Sequence, residues 1–257
     1  MPYLSQNHPI ADWKKVWWTQ AIKMLTEYWT ANNIFCPVCW SALLQHEIDK
    51  PVNDLFCRDC KEDFELKSSK GKLWKTIPWW AYDVMIREMI DNPMHLFVLK
   101  YAEDYTITNF LVVPKYFFIP EIIQKRNTSK VKQKNWSIRL WTWWNILFDK
   151  IPNSWKIHYI QDWRYKTRTE ILNEWNKIRF LEKEKQESKW WIFDVMKCIE
   201  RLDKKEFLLQ DIYDFENDLN LLHPENNNIK AKIRQQLQLL RDKNYLEFLE
   251  RGKYRIL

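Results

Sequence analysis

The residues able to do chemistry are concentrated between Cys36 and Lys67. Two Cys-x2-Cys pairs, Cys36/Cys39 and Cys57/Cys60, are separated by seventeen residues. Four thiolates at that spacing bind zinc in a closed tetrahedral, hence structural, site. Threaded through them are Asp54, just before the second pair, and Glu65-Leu66-Lys67, just after it. The order Asp, ten residues, Glu-x-Lys is that of a metal-dependent nuclease. The two carboxylates and the Leu66 carbonyl offer oxygens to one divalent ion, and an incomplete oxygen shell suits Mg2+, which keeps several waters. Lys67 would orient or deprotonate an attacking water and shield charge developing on a phosphate. Taken alone, the carboxylate spacing also fits a solvated edge strand; its interleaving with zinc spacing favours the catalytic reading. Four unrelated buried cysteines, or a redox pair, fit the spacing less well, and no βαβ pattern surrounds either pair.

These side chains need a frame. Ile22, Leu25 and Trp29 recur at helical spacing and predict a helix over 19–31. In Asp-Phe-Glu-Leu-Lys, Phe64 and Leu66 point to one face of a strand and Glu65 and Lys67 to the other. A Ser/Lys/Gly loop is expected at 68–73, a helix at 80–91, and a hairpin from strands at 95–101 and 109–118. The weakly patterned segment 122–140 reads as a mobile loop. It carries Lys125, Arg126, Lys130, Lys132, Lys134 and Arg139 with no acidic residue.

The polar run 182–189 reads as a domain boundary, giving domains 1–185 and 186–257, or equally as the extension of a helix. Beyond it come a helix at 191–202, a short apolar piece at 207–209, and a second helix carrying Ile212, Phe215 and Leu219. A third helix carries Ile229, Ile233, Leu237 and Leu240, and a hairpin turns at Gly252. Three helices and a terminal hairpin are the plan of a winged helix. On the third helix Lys230, Arg234, Gln235, Gln238 and Arg241 lie largely off the apolar stripe. Arg and Gln read guanine and adenine edges in the major groove. Arg251, Lys253 and Arg255 on the hairpin would meet phosphates. A winged helix used only for protein contacts is the alternative.

The net charge of +7 and two separate basic tracts suit a polyanion gripped from two sides. No apolar run approaches the roughly eighteen residues a membrane span requires, and no signal peptide is visible. With four of five cysteines in zinc spacing, a reducing cytoplasm is the expected compartment. Cys198 reads as core.

Seventeen Trp against two Gly is an anomalous ratio. Trp40 follows Cys39, where a zinc knuckle calls for positive φ, and Trp163 follows Asp162, where Asp-Gly would make a turn. The expectation is that some tryptophans are glycines in the living protein, through UGA codons read with the wrong code. Candidates are Trp18, Trp40, Trp79 or Trp80, Trp143, Trp163 and Trp190. A genuinely tryptophan-rich chain is the alternative.

Three blocks, CPVC…PVNDLFCRDCKEDFELKS, NFLVVPK and NNNIKAKIRQQLQLLRDK…RGKYR, give the chain a resemblance over essentially its whole length to the DpnI-like methyl-directed (type IIM) restriction endonucleases. Those enzymes cut GATC when its adenine carries an N6-methyl group. The resemblance implies an α/β (α+β) fold: a PD-(D/E)xK nuclease core with a four-cysteine zinc site, then a C-terminal winged-helix domain. It places Asp54, Glu65 and Lys67 on catalytic positions, with the motif's opening Pro-Asp replaced by Asn53-Asp54. It also places Cys36, Cys39, Cys57 and Cys60 on zinc ligands, and family glycines at Trp40, Trp163 and Trp190. A methyl-sensing Trp would be Trp141, with Trp136, Trp143 or Trp144 as alternatives; a misread Gly at 143 would favour Trp141. The function implied is Mg2+-dependent cleavage of adenine-methylated double-stranded DNA, with no protein partner implied. Rival readings are a non-cleaving methyl-DNA reader or transcription regulator, and a nuclease acting on unmethylated DNA.

Overall fold

The computed structural model describes residue 4 and residues 18–46, 53–72, 75–79, 93–118, 122–132 and 138–257. The chain divides into two compact units, Met1–Ile151 with Trp155–Trp175, and Pro152–Ser154 with Asn176–Leu257. Among the described residues no helix is long and apolar enough to cross a membrane.

The first unit opens with helix α1 (Trp18–Asn33), followed by strands β1 (Leu43–Gln45), β2 (Leu55–Cys57), β3 (Asp63–Lys70) and β4 (Ile77–Trp79). Next come β5 (His95–Tyr101), β6 (Ile107–Val113), β7 (Ile123–Lys132), β8 (Ile138–Ile146), β9 (Ile157–Gln161), β10 (Arg164–Tyr165) and helix α2 (Arg168–Arg179). The main sheet has the order β1-β2-β3-β5-β6-β9-β10, and a second sheet has the order β4-β8-β7. β3 and β5 run parallel, in register from Phe64↔His95 to Lys70↔Tyr101. β5 and β6 are buried almost throughout, as expected of strands covered on both faces. Phe64 stacks on Phe97 at 4.6 Å between ring centroids, Phe97 meets Phe110, and Phe110 meets Trp29 of α1 at 5.9 Å. That aromatic chain seats α1 on the sheet.

Several sequence expectations change. β3 continues through Ser68 and Ser69 to Lys70, so the loop expected at 68–73 is shortened to a turn at Gly71, whose φ is +78°. Ladder pairing with β5 overrides the polar character of those serines. β6 stops at Val113 rather than 118, because Pro114 has no N–H to donate to a ladder; residues Lys115–Phe117 form one 3-10 turn. The segment 122–140 is not a mobile loop in its described part, since β7 and β8 pair from Ile123↔Ile146 to Lys132↔Ile138. Its lysines masked the signal, yet β-branched and aromatic residues recur along both strands, and a strand tolerates solvated charge while its backbone pairs. The helix expected at 80–91 lies outside the described residues.

The second unit holds helices α3 (Gln186–Arg201), α4 (Leu209–Tyr213), α5 (Glu216–Leu222) and α6 (Ile229–Asp242), with strands β11 (Glu206–Leu208), β12 (Leu246–Glu250) and β13 (Lys253–Ile256). Its sheet has the order β11-β13-β12, and β12 turns into β13 at Gly252, φ +75°. The expected second helix is two short ones, broken at Phe215 with φ −90° and ψ 8°. α3 begins inside the polar run at 182–189, so the run extends into a helix, one of the two readings it allowed. Ile192, Ile199, Ile212, Leu219, Ile233, Leu237 and Leu240 form the core. A buried hydrogen bond, His223 Nε2 to Asp194 Oδ2 at 2.7 Å, is capped by Trp191 stacked on the imidazole at 3.7 Å.

The tryptophan question now has a conformational answer at two positions. Trp40 has φ +73°, and its N–H donates to the Cys36 carbonyl at 2.9 Å to close the first knuckle. Lys61 takes the matching place after Cys60, at φ +62°. Asp162 and Trp163 both have positive φ, 46° and 64°, between the paired residues Gln161 and Arg164. That is the two-residue turn in which Asn-Gly and Asp-Gly are the favoured sequences. Trp18 and Trp190 lie in helices and Trp79 and Trp143 in strands, where backbone conformation makes no demand for glycine; Trp80 lies outside the described residues. A bulky residue in the left-handed region costs about 1–2 kcal/mol. Trp163 is 52% exposed and has little packing to lose. Trp163→Gly is therefore expected to raise stability by about 1 kcal/mol, read as an upward shift of the melting temperature; no shift, or a downward one, would show that the turn accepts tryptophan. Intact mass of the protein made in its own host should reveal glycine at positions 40 and 163.

Candidate functional site

The two cysteine pairs are carried by two hairpin-like turns. Cys36 and Cys39 lie in the turn after α1, where Phe35 bridges to Ala42. Cys57 ends β2, and its N–H donates to the Glu62 carbonyl at 2.9 Å across the turn to β3. The four sulfurs all lie within 4.8 Å of one another, with Cys36 and Cys60 3.5 Å apart and Cys39 and Cys57 3.3 Å apart. A tetrahedral zinc with Zn–S bonds of about 2.3 Å sets sulfurs about 3.8 Å apart. The donor set and its dimensions fit zinc, and four ligands leave no open position. Among the described residues this is the only such group of three or more potential ligands.

The zinc turn connects β2 to β3, and its register brings the carboxylates together. Leu55 pairs with Phe64, and the Asp54 N–H donates to the Phe64 carbonyl at 3.0 Å. Asp54 thereby reaches the stretch of β3 that carries Glu65. Its Oδ2 accepts from the Leu66 N–H at 2.8 Å, while Glu65 Oε2 accepts from the Asn53 N–H at 2.9 Å. Asn53 has φ +72°, a value closed to proline. Proline would also lack the N–H that holds Glu65, so a Pro-Asp opening is excluded here on both counts. Lys67 Nζ lies 2.5 Å from Glu65 Oε1. Burial pushes the Glu65 carboxyl above its ordinary value, against the opposing pull of the Lys67 ammonium.

Two further residues complete this cluster, and the sequence reading missed them. Lys23 of α1 places Nζ 2.9 Å from Asp54 Oδ1 and 3.4 Å from Glu27 Oε1. Burial alone would lower the Lys23 pKa, but the Asp54 carboxylate more than offsets it and holds Lys23 above its usual range. Glu27 is pushed up to about 8, first by burial and then by the neighbouring Asp54 charge. The available signal was the i,i+4 polar pair between Ile22, Leu25 and Trp29. Its separation from Asp54 along the chain hid the partnership until the fold closed it.

A brace lies behind the zinc turn. Glu62 receives Lys115 Nζ at 2.8 and 2.9 Å and lies 3.2 Å from the buried His95 ring. Although burial favours its neutral form, His95 and Lys115 together hold Glu62 down to about 2. Lys115, in the NFLVVPK block, thus ties the second knuckle to β5 and β6.

In the second unit, α6 presents Lys230, Arg234, Gln235 and Gln238 as exposed residues. Arg234 donates to the Tyr213 hydroxyl at 2.7 Å, Lys230 pairs with Glu216 at 3.1 Å, and Arg241 pairs with Asp242 at 2.7 Å. Of the hairpin residues, Arg255 lies between Glu206 and Glu247, at 2.7 and 3.2 Å, and Lys253 pairs with Glu206 at 3.2 Å. Arg251 is exposed beside the turn. Trp141 lies in β8 opposite Ser129 of β7.

Residues 5–184 match the family model described as DpnI, the Dam-replacing family, and residues 187–256 match DpnI_C, the Dam-replacing HTH domain. The second unit is accordingly of helix-turn-helix type.

Purified protein is expected to contain about one zinc per chain, and Cys57→Ser none, by metal analysis after denaturation. Structural zinc contributes roughly 10–16 kcal/mol in small zinc-binding peptides. Chelator treatment should therefore lower the melting temperature of the parent sharply and leave that of Cys57→Ser unchanged. Equal zinc content in the two proteins would remove the four-sulfur assignment.

Proposed function

The chain belongs to the Dam-replacing (DpnI) family, and from that premise we propose that it is a Mg2+-dependent type II endonuclease that cuts double-stranded DNA at N6-methyladenine sites, GATC in particular. The observation that carries this reading is the mutual fastening of Asp54 and Glu65 across β2 and β3, with Lys67 on Glu65. Such a pair on two adjacent strands, joined by the turn that carries Cys57 and Cys60, supports assignment of residues 1–185 as a PD-(D/E)xK nuclease domain and of 186–257 as a winged-helix domain. The reducing cytoplasm is the compartment that suits its thiolate site.

Asp54, Glu65 and the Leu66 carbonyl would hold the divalent ion, whose chemistry is to lower the pKa of bound water and stabilise phosphate charge. The protein's own part is geometric. Backbone N–H groups of Asn53 and Leu66 fix one oxygen of each carboxylate, so the other oxygen of each, which now meets a lysine, would turn to an ion without rotational search. Lys67 is 18% exposed at its side chain, which limits water around its ammonium and suits it to orient an attacking water beside Glu65.

DNA would be gripped by the second unit through Lys230, Arg234, Gln235 and Gln238 on α6 and Arg251, Lys253 and Arg255 on the hairpin. Trp141 is the proposed methyl sensor of the first unit. One buried methyl is worth about 0.8 kcal/mol, a modest discrimination that reading both strands' methyls in each of two domains would multiply.

Matched plasmids, one adenine-methylated and one not, incubated with the protein and Mg2+ should show cutting of the methylated plasmid alone. Equal cutting of both would remove methyl dependence, and binding without cutting would favour a non-cleaving reader. Asp54→Ala should slow cleavage by on the order of a thousandfold while DNA binding in a mobility-shift assay survives. Undiminished cleavage would mean that another carboxylate does the work.

A further inference from the structure

We propose that Lys23 is the resident counter-ion of the acid site, an ammonium that a divalent cation must displace from Asp54 and that Glu27 then receives. This inference rests on the reading of Asp54 and Glu65 as the ion-holding pair. The four carboxylate oxygens of that pair are all engaged, but in two different ways. Asp54 Oδ2 and Glu65 Oε2 accept backbone N–H groups, which cannot leave without opening β2 from β3. Asp54 Oδ1 and Glu65 Oε1 are covered by lysines, Lys23 at 2.9 Å and Lys67 at 2.5 Å. A divalent ion bound by Asp54 without disturbing the strands therefore competes with Lys23 for Oδ1.

The two lysines are not equivalent. Lys67 is on β3, two residues from its partner, and its side chain is 18% exposed. Lys23 comes from α1, and its side chain is 57% exposed. A half-exposed lysine on a flexible four-carbon stem can leave a carboxylate for water at little cost. It also has a nearer destination. Glu27, one helical turn further along α1, holds Oε1 buried and without a hydrogen-bond donor, 3.4 Å from the same ammonium. An unsatisfied buried acceptor is costly, and transfer of Lys23 from Asp54 to Glu27 would satisfy it. The pair thus works as a latch: Lys23 neutralises Asp54 until a divalent ion arrives, and the Glu27 Oε1 acceptor, already 3.4 Å away, then takes a hydrogen bond from the released ammonium. The metal concentration at which the site loads is set by this exchange.

The test is Mn2+ binding to the full-length, zinc-loaded chain without DNA, followed by electron paramagnetic resonance of free Mn2+. Lys23→Met should bind Mn2+ roughly three- to tenfold more tightly, the scale of a half-exposed ion pair. Added Mn2+ should also raise its melting temperature by more than it raises the parent's. Glu27→Gln should bind Mn2+ more weakly, because the displaced ammonium loses its acceptor. Opposite signs at neighbouring positions of one helix are not produced by a general loss of stability. Unchanged or weaker binding by Lys23→Met, or a change of the same sign in both variants, overturns the proposal. Asp54→Asn separates the two levels of inference: if it binds Mn2+ as well as the parent, the ion-holding reading of the pair fails, whereas its loss of binding leaves the behaviour of Lys23 as the deciding measurement.

Discussion

Everything at this site depends on two hydrogen bonds that cross between adjacent strands in opposite directions. The Asn53 N–H reaches forward to Glu65, and the Leu66 N–H reaches back to Asp54. Asp54 and Glu65 act on each other electrostatically, and like unit charges at a separation of about 5 Å would repel by about 3 kcal/mol at an effective dielectric of about 20. Left to themselves, those side chains would rotate apart. Each N–H donates to a charged acceptor, an interaction worth about 1.5–3 kcal/mol, so the clasp is of the size needed to oppose the repulsion. Lys23 and Lys67 then screen the remaining charge from opposite ends of the pair.

The clasp requires a register, and the turn that carries Cys57 and Cys60 closes it, with Cys57 N–H on the Glu62 carbonyl. A shift of one residue between β2 and β3 would send Glu65 to the wrong face and bring the wrong N–H to Asp54. β2 is only three residues long, too short to define its pairing by side-chain pattern alone. Cys57 and Cys60 bracket the turn between the strands, and Cys36 and Cys39 anchor it to the end of α1. An ion held by these four sulfurs would both close the turn and fix the end of the helix that supplies Lys23 and Glu27. Lys115 and His95, clamped on Glu62, secure the turn from the β5–β6 side. Structural metal and acid cluster share one segment because a short strand needs an external constraint wherever side-chain geometry must be tight.

What could be read in the sequence follows from how local each signal is. Knuckle spacing and the Glu-x-Lys alternation are local, and the structure brings the four cysteines into one cluster and fastens Asp54 to β3. The helix over 19–31, the strand at 95–101 and the apolar stripe of α6 are periodic over several turns or residues, and all three form. Lys23 and Glu27 were invisible because their partner lies on a strand that only tertiary folding brings to α1. β7 and β8 were obscured by lysines, which lower apparent strand propensity without preventing backbone pairing. Trp40 and Trp163 show the reverse case. There the local rule called for positive φ, and both residues adopt it although they are tryptophans.

The second unit presents its cations already partnered, and this bears on how a helix-turn-helix domain of this kind meets a polyanion. Arg255 is shared between Glu206 and Glu247, Lys253 is held by Glu206, and Lys230 is held by Glu216. All these groups are substantially exposed, so each pair contributes little to stability and is readily exchanged. Exchange of a carboxylate for a phosphate keeps the cation paired but frees an acidic side chain near the polyanion, which works against indiscriminate binding. Gln235 and Gln238, uncharged and exposed on α6, carry no such penalty and are the side chains suited to base edges. Were Lys230, Lys253 and Arg255 to meet phosphates as proposed, Glu206, Glu216 and Glu247 would oppose non-specific contacts, an opposition that well-placed base contacts would have to overcome. In this arrangement acidic residues beside exposed cations would serve selectivity more than stability.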